Sequence, residues 1–237
     1  MNYLIKYVQL PFSFSEEKLV KDLNSLNEKW ILHFNKAHYE GEWGALPLRS
    51  LGGSMVNVVP GFGGEEVFAD TPLMEQCPYI KSVLDEFKVE KKAIRLLNLK
   101  PGAVIKEHKD AELCYEQGEA RIHIPILTNP QVEFYVDNER FEMLPGSCWY
   151  MNFNLPHRIN NFGKTDRVHL VFDVVVNDYI RDLFENAPPD RKKVIAEKDK
   201  FSVSQRRGII EQLKGMNTPT SLAMAQKMEQ ELAEAQV

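Results

Sequence analysis

The sequence has 237 residues, of which 43% are hydrophobic and 27% are charged, proportions typical of a soluble globular protein. Lys and Arg number 29 against 34 Asp and Glu, and no basic block runs along the chain, so we expect no nucleic-acid partner and no membrane association. The three cysteines form no disulfide framework and no CxxC metal pattern, and we find neither a signal-peptide pattern nor an apolar run of bilayer length, which predicts a reducing, cytoplasmic location.

The first predicted elements are a strand within residues 1–10 and a helix over 13–26. In the helix, leucines recur at helical spacing after a serine and an acidic first turn. A second helix is predicted over 79–87, directly after a proline.

From about residue 92 the pattern changes to short β-type runs separated by turn residues. The predicted strands lie within 93–105 (two runs broken by a Pro-Gly turn), 120–127, 131–136, 140–144, 147–153 and 167–176. Short strands with regular turns are typical of an antiparallel barrel or sandwich.

After the last predicted strand the pattern becomes helical again. Residues 178–184 predict a helix, 188–200 a polar connector, and the rest of the chain two terminal helices. We therefore predict a mainly β fold with flanking helices, with one domain over 1–187 and a helical extension over 188–237. The extension either packs against its own domain or joins two copies in a homodimer, since amphipathic helices fit both uses.

Two histidines and an aspartate suggest a metal site. His108 and Asp110 are two residues apart, so on a strand both side chains point to the same face. His157 lies between two predicted strands and is the candidate for a third ligand. Two histidines and one carboxylate form the facial triad of non-haem Fe(II) oxygenases, which leaves coordination positions open for a co-substrate and O2. The alternative for each residue alone is an ordinary polar position on a sheet.

Arg167 follows His157 by ten residues, with a turn near Phe162-Gly163 between them. In a hairpin about that turn the two residues lie opposite each other, which predicts a cation close to the metal. A guanidinium matches a carboxylate with two hydrogen bonds, so it suits a dicarboxylate co-substrate bound to iron at its other end. The alternative is a surface arginine.

These residues and the segments around them resemble those of a known family. The segments "KPGAVIKEHKD", "ARIHIPIL" and "GSCWYMNFNLPHRINNFGKTDRVHLVFDVV" resemble the aspartyl/asparaginyl β-hydroxylase family of Fe(II)/2-oxoglutarate oxygenases and the related bacterial free-proline hydroxylases. The similarity covers about residues 92–176. It implies a double-stranded β-helix core, also called a jelly-roll or cupin-like fold.

The resemblance also implies roles for single residues. His108, Asp110 and His157 match the iron ligands, and Arg167 matches the residue that binds the distal carboxylate of 2-oxoglutarate. Arg121 and His123 match a strand pair that contacts either the proximal carboxylate of 2-oxoglutarate or an acidic group of the substrate.

Asp110 bears on the choice of substrate. Animal peptidyl Asp/Asn hydroxylases have a glycine at the matching position, so the aspartate favours the bacterial small-molecule branch. The resemblance implies a hydroxylase that uses Fe(II), 2-oxoglutarate and O2, acts on a free amino acid or a small derivative of one, and releases succinate and CO2. It implies no catalytic residue beyond the iron site.

The sequence identifies substrate-binding residues less clearly than metal ligands. Residues 41–50 precede the predicted core and hold Trp43 and Arg49, which are our candidates for substrate binding if the segment packs over the barrel mouth. A surface loop anchored by its tryptophan is the alternative. Two other functions stay open: a peptidyl Asp/Asn β-hydroxylase, and a non-catalytic cupin-like protein that binds a metal or ligand.

Overall fold

The computed structural model describes residues 3–59, 67–110, 113–196 and 203–234. By their contacts the residues form two compact units: a large one, Ile5–Val194, and a small one made of Met1–Leu4 and Ile195–Val237. The domain boundary that we placed before residue 188 stays a prediction.

The large unit consists mainly of antiparallel strands. Numbered along the chain, the strands are β1 (Tyr3–Ser13), β2 (Ile31–Leu32), β3 (Tyr39–Glu40), β4 (Trp43–Leu51), β5 (Phe68–Asp70), β6 (Lys91–Leu99), β7 (Val104–His108), β8 (Glu119–Leu127), β9 (Val132–Val136), β10 (Glu139–Phe141), β11 (Ser147–Met151), β12 (His157–Asn161), β13 (Arg167–Val175) and β14 (Lys192–Ala196). The α-helices are α1 (Glu16–Ser25), α2 (Pro72–Glu75), α3 (Pro78–Asp85), α4 (Asp178–Glu185), α5 (Val203–Met216) and α6 (Pro219–Glu234).

Eight consecutive strands, β6 to β13, are divided between two sheets. The larger sheet has the order β14-β1-β11-β8-β13-β6-β4-β2, and the smaller has β10-β9-β12-β7-β3. Successive strands cross to the opposite sheet except β9 and β10, which form a hairpin within the smaller sheet, and four strands of the eight lie in each sheet. This arrangement is a double-stranded β-helix. The predicted fold class is confirmed.

The inner and outer faces of the large sheet differ in chemistry. On β13, Leu170 and Phe172 pack in the cluster that covers the helix-facing side, whereas Val171 packs between the two sheets. Because side chains alternate along a strand, His169 and Asp173 share the face of Val171. The barrel interior is therefore lined by polar residues on a strand whose other face is apolar.

The hairpin that we predicted between His157 and Arg167 is wrong. β12 pairs with β7 and β9 in the smaller sheet, whereas β13 pairs with β6 and β8 in the larger one. His157 begins β12, and Asn161 ends it, where the Asn161 side chain donates to the Leu99 carbonyl at 2.9 Å. Arg167 pairs with the same Leu99. Arg167 therefore lies one strand length, about 13 Å along the barrel, from the end that holds His157. We call the His157 end the mouth and the Arg167 end the base.

Residues 41–50, which we expected to form a loop or a cover for the mouth, instead lie largely in β4. This strand is an inner member of the larger sheet, between β2 and β6, and most of its residues are buried. Burial on both faces removes the alternation that marks a strand in a sequence. Pro47 also argues against an inner strand, but the register shifts directly after it, and such a bulge accommodates a proline.

The polar connector predicted over 188–200 is also corrected. Lys192–Ala196 form β14, the edge strand next to β1, and residues 197–200 lie outside the described part of the chain. An edge strand tolerates lysines because one of its sides faces water.

The small unit contains the two terminal helices, as predicted. Lys214 on α5 and Glu229 on α6 form an ion pair of 2.7 Å, so the two helices pack against each other. A homodimer through these helices stays a prediction. No helix among the described residues is long and apolar enough to cross a bilayer.

Candidate metal centre

Three candidate ligands meet at the mouth of the barrel. His108 ends β7 and lies directly opposite His157 on β12, and their ring centroids are 4.2 Å apart. Asp110 follows β7, and its backbone N–H donates to the Phe153 carbonyl at 2.9 Å, which brings it beside the same pair. One ligand atom from each of the three residues lies within 4.8 Å of the others. The structure thus brings His157 beside His108 and Asp110, although His108 and His157 are 49 positions apart in the sequence.

Both histidines present the same nitrogen to the centre. His108 Nδ1 lies 2.7 Å from the Lys106 carbonyl, and His157 Nδ1 lies 3.1 Å from the Leu155 carbonyl. A carbonyl only accepts hydrogen bonds, so each Nδ1 carries the proton and each Nε2 keeps its lone pair. Metal-bound histidines are held in this way by a hydrogen bond from the other ring nitrogen. His108 Nε2 is 3.6 Å from Asp110 Oδ1.

The electrostatics of the site favour the charge states that bind a cation. Burial alone would raise the pKa of Asp110, but the positive charge of Arg121, aided by His157 and His108, holds that pKa below its ordinary value. Burial, and then the neighbouring His108, lower the pKa of His157 to about 4. At neutral pH the site therefore offers one carboxylate and a neutral His157 imidazole.

Arg121 is held by two carboxylates of the protein. Its Nε and Nη2 donate to Asp173 at 2.6 and 3.0 Å, and its Nη1 donates to Asp110 Oδ2 at 2.8 Å. The resemblance implies that this residue contacts a carboxylate of 2-oxoglutarate or an acidic group of the substrate, whereas in this structure two carboxylates of the protein bind it. The co-substrate role that we assigned to Arg121 stays a prediction.

Arg167 differs from Arg121 because no carboxylate of the described residues pairs with it. The side chain is 1% exposed, Nη2 lies 3.0 Å from His169 Nδ1, and Nε has no hydrogen-bond partner in the described part of the chain. Burial lowers the pKa of Arg167 to about 9, so the guanidinium is still charged at neutral pH. A buried cation without a counter-ion is costly, which indicates a site for an anion.

The space around Arg167 is large enough for a small molecule. Arg167, His169 and Phe134 line a cavity of about 490 Å³ at the base of the barrel. The turn after β8 and the segment around β10, including Arg140, also line this cavity.

His123 lies between the metal end and Arg167. Its ring centroid is 4.9 Å from Phe153, which also contacts His157, and its Nδ1 is 3.4 Å from His169 Nδ1. Burial, and then the charge of Arg167, hold the pKa of His123 well below its usual range. His123 Nε2 is buried without a partner among the described residues. The interior between mouth and base thus contains unsatisfied polar atoms but no anion from the described residues that offsets Arg167.

The two candidate substrate residues lie at opposite ends of β4. Arg49 forms an ion pair of 2.7 Å with Asp70 and donates to the Lys91 carbonyl at 3.1 Å. Trp43 is buried and stacks on His33, with ring centroids 3.6 Å apart. In the described part of the chain neither residue forms a hydrogen bond or an ion pair with the three candidate ligands, and their substrate role stays a prediction.

Three buried residues near the site were not predicted from the sequence. Asp173 binds Arg121 and also accepts from Arg95 at 3.1 Å, and His33 is buried with its Nδ1 unpartnered among the described residues. A signal for Asp173 was present, because it is an acidic residue within an otherwise apolar run, "LVFDVVV". Arg95 gave a similar signal in "AIRLLNL", whereas nothing in the sequence around His33 distinguishes it.

Comparison with known proteins places this geometry in a family. The model of the family described as Aspartyl/Asparaginyl beta-hydroxylase matches residues 14–176. The chain belongs to this family. The resemblance recognised in the sequence is confirmed, and the match includes all three candidate ligands and Arg167.

One curated protein gives a more specific similarity. The L-proline cis-4-hydroxylase of Rhizobium meliloti (strain 1021) is 28% identical over 166 residues, which are 68% of this chain and 57% of that protein. The chain thus spans a little over half the length of this relative.

Two solved oxygenases were also found. An oxidoreductase of the 2OG-Fe(II) oxygenase family from Burkholderia pseudomallei is 14% identical, with a TM-score of 0.49, and covers 72% of this chain and 85% of that chain. A viral collagen prolyl hydroxylase from Paramecium Bursaria Chlorella virus-1 is 10% identical, with a TM-score of 0.43, and covers 72% and 97%.

Proposed function

We propose that the chain is an Fe(II)- and 2-oxoglutarate-dependent oxygenase that hydroxylates an unactivated C–H bond of a free amino acid or a small amino-acid derivative. One observation carries this proposal. The same barrel has a His-Asp-His triad at its mouth and, at its base, a buried arginine that pairs with no carboxylate of the described residues.

The donor set of the triad fits Fe(II). Two imidazoles that expose Nε2 and one carboxylate are the facial triad of non-haem iron oxygenases. His108, Asp110 and His157 would hold the metal. Bound there, iron(II) would couple the oxidative decarboxylation of 2-oxoglutarate by O2 to hydroxylation of the substrate, with succinate and CO2 as co-products.

Arg167 fits the distal carboxylate of 2-oxoglutarate. Its guanidinium is charged, buried and unpaired with any carboxylate of the described residues, so an anion that reaches it gains a charge-assisted pair in a medium of low dielectric constant. An acid that spans from the mouth to the base would satisfy Arg167 and present its other end to the metal. His123, neutral and with a free Nε2, lies along that path.

The substrate class rests on the similarity to the proline hydroxylase. That relative is named for a free amino acid, which supports a small-molecule substrate for this chain. The family description favours a second candidate, a peptidyl Asp/Asn β-hydroxylase. The presence of Asp110 supports the first, as argued from the sequence.

The first experiment tests the co-substrate. Anaerobic protein loaded with Fe(II) should develop a weak visible charge-transfer band when 2-oxoglutarate is added, and the His108→Ala variant should not. A folded, iron-loaded wild-type protein without the band would contradict the proposal.

The second experiment tests the substrate class. Free amino acids, including L-proline, and short peptides containing Asp or Asn should be screened for stimulation of succinate formation. Stimulation by a free amino acid supports the first candidate, and stimulation by a peptide alone supports the second. Stimulation by neither, in a protein that shows the band, would reject both substrate classes.

A further inference from the structure

We infer that Asp173 and Arg121 are positioning residues that hold Asp110 as a metal ligand through one oxygen. This inference rests on the metal site of the proposed function. We call Asp173 and Arg121, with the hydrogen bonds between them and Asp110, the carboxylate clamp.

The clamp begins with a two-point contact. Arg121 donates from Nε to Asp173 Oδ1 at 2.6 Å and from Nη2 to Asp173 Oδ2 at 3.0 Å. Two parallel hydrogen bonds fix the plane of a guanidinium as well as its position. The third nitrogen, Nη1, consequently has a fixed direction, and it donates to Asp110 Oδ2 at 2.8 Å.

This contact determines which oxygen of Asp110 is available. Oδ2 is occupied by Arg121, whereas Oδ1 is directed toward the triad, 3.6 Å from His108 Nε2. Asp110 follows the end of β7 instead of lying within it, so the strand does not fix its side chain. Arg121 supplies the constraint that the backbone lacks.

Asp173 is itself held firmly. It lies on β13 directly opposite Arg121 on β8, and β13 is an inner strand with partners on both sides. Its side chain is 3% exposed, and its Oδ2 also accepts from Arg95 Nη2 at 3.1 Å. Arg95 in turn donates from Nη1 to the Val58 carbonyl at 3.2 Å. A ligand supported by rigid strands keeps its geometry better than one on an unsupported loop.

Asp110 also balances the charge of the cluster. Arg95 and Arg121 carry two positive charges, and Asp173 carries one negative charge. Asp110 supplies the second negative charge, so the cluster is neutral only when Asp110 is included. Asp110 is 31% exposed at the barrel mouth, so the cluster connects a buried ion pair to the candidate metal ligand.

Binding of Co(II) to the metal-free full chain, measured by titration calorimetry, tests the clamp. Loss of a residue that orients a metal ligand typically lowers metal affinity 10- to 100-fold, so Asp173→Asn should weaken Co(II) binding by about that factor. Asp166→Asn is the matched control. Asp166 accepts from Asn98 and Lys100 near the base, and this variant should bind Co(II) within about twofold of wild type.

A double-mutant cycle separates positioning from general structural damage. If Asp173 acts through Asp110, then Asp173→Asn should change Co(II) affinity strongly in the wild-type background and hardly at all in the Asp110→Ala background. The visible absorption of bound Co(II) should also change in Asp173→Asn, because Asp110 would be free to bind through either oxygen. If Asp173→Asn does not fold, Arg121→Lys replaces it, since an ammonium keeps the charge but lacks the fork that joins both carboxylates.

The outcomes distinguish a failure of the proposed function from a failure of the clamp alone. Wild-type protein that does not bind Co(II) at the triad contradicts the proposed function. Wild-type protein that binds Co(II), together with a folded Asp173→Asn or Arg121→Lys of equal affinity and spectrum, overturns the clamp alone. An effect that persists undiminished in the Asp110→Ala background overturns it as well.

Discussion

His108 and His157 face each other across the β7–β12 pair, with their rings 4.2 Å apart and each Nδ1 bonded to a backbone carbonyl. The His108→Ala variant should therefore bind divalent metal much more weakly, because only Asp110 and His157 remain as ligands. His38→Ala is the matched control. The centroid of the His38 ring is 4.7 Å from that of His108, but His38 is not one of the three candidate ligands. Equal loss in both variants, measured by calorimetry, would contradict the assignment of His108.

Arg167→Met should weaken 2-oxoglutarate binding and leave metal binding unchanged. Removing one partner of a buried charged pair costs about 2–5 kcal/mol, so the affinity should fall roughly 30-fold or more. Arg140→Met is the control, because Arg140 is an exposed arginine that lines the same cavity. Unchanged 2-oxoglutarate affinity in Arg167→Met would reject the anchor.

The same Arg167→Met variant should be at least as stable as wild type when no ligand is bound. The reason is that the substitution removes a buried charge which no carboxylate of the described residues offsets. Urea unfolding of the metal-free proteins measures this. A variant that is less stable by several kcal/mol would mean that Arg167 has a structural role, contrary to our interpretation of its unpaired charge.

His33 should make the ligand-free protein sensitive to acid. Burial, and then the charge of Arg95, lower the pKa of His33 from 6.5 to about 3. The unfolded chain therefore binds this proton between pH 6.5 and 3 while the folded chain does not, so the contribution to stability is complete above pH 6.5 and is lost as the pH falls. In His33→Gln the slope of unfolding free energy against pH should decrease by up to about 1.4 kcal/mol per pH unit in that window. Identical slopes in urea unfolding between pH 6.5 and 4.5 would disprove the buried, neutral state of His33.

Arg49→Gln and Asp70→Asn should behave alike. The two side chains form one partly exposed ion pair, and such pairs contribute about 0–1 kcal/mol to stability. Because the guanidinium is already occupied, we expect neither variant to change the KM for the substrate that the amino-acid screen identifies. An increase in KM for Arg49→Gln alone would establish the substrate role that the sequence suggested.

The strands of the core were predictable because their chemistry alternates. On β8, Ile122 and Ile124 pack toward the helices while Arg121 and His123 lie inside, and the same period of two marks β13. β4 was not predictable in this way, since it is buried on both faces and contains Pro47. Local pattern detects a strand only where its two faces meet different surroundings.

The metal ligands were predictable because two of them share a strand end and the third completes a known donor set. The carboxylate clamp was not, because the pairing of Asp173 with Arg121 depends on the register between β13 and β8, which lie 52 residues apart at this point. The hairpin error has the same origin. The turn between β12 and β13 looks local, but which sheet each strand joins is decided by distant partners.

The placement of His157 and Arg167 at opposite ends of one strand length has a consequence for selectivity among acids. Because β12 is rigidly paired on both sides, the spacing between the mouth and the base is fixed by the fold and does not adjust to the ligand. On our proposal, a keto acid one carbon shorter, such as oxaloacetate, would reach the metal or the arginine but not both. A keto acid one carbon longer would have to buckle between them. The length of β12 would thus determine which acids fit by their carbon number. The residues that set this length would not need to contact the acid.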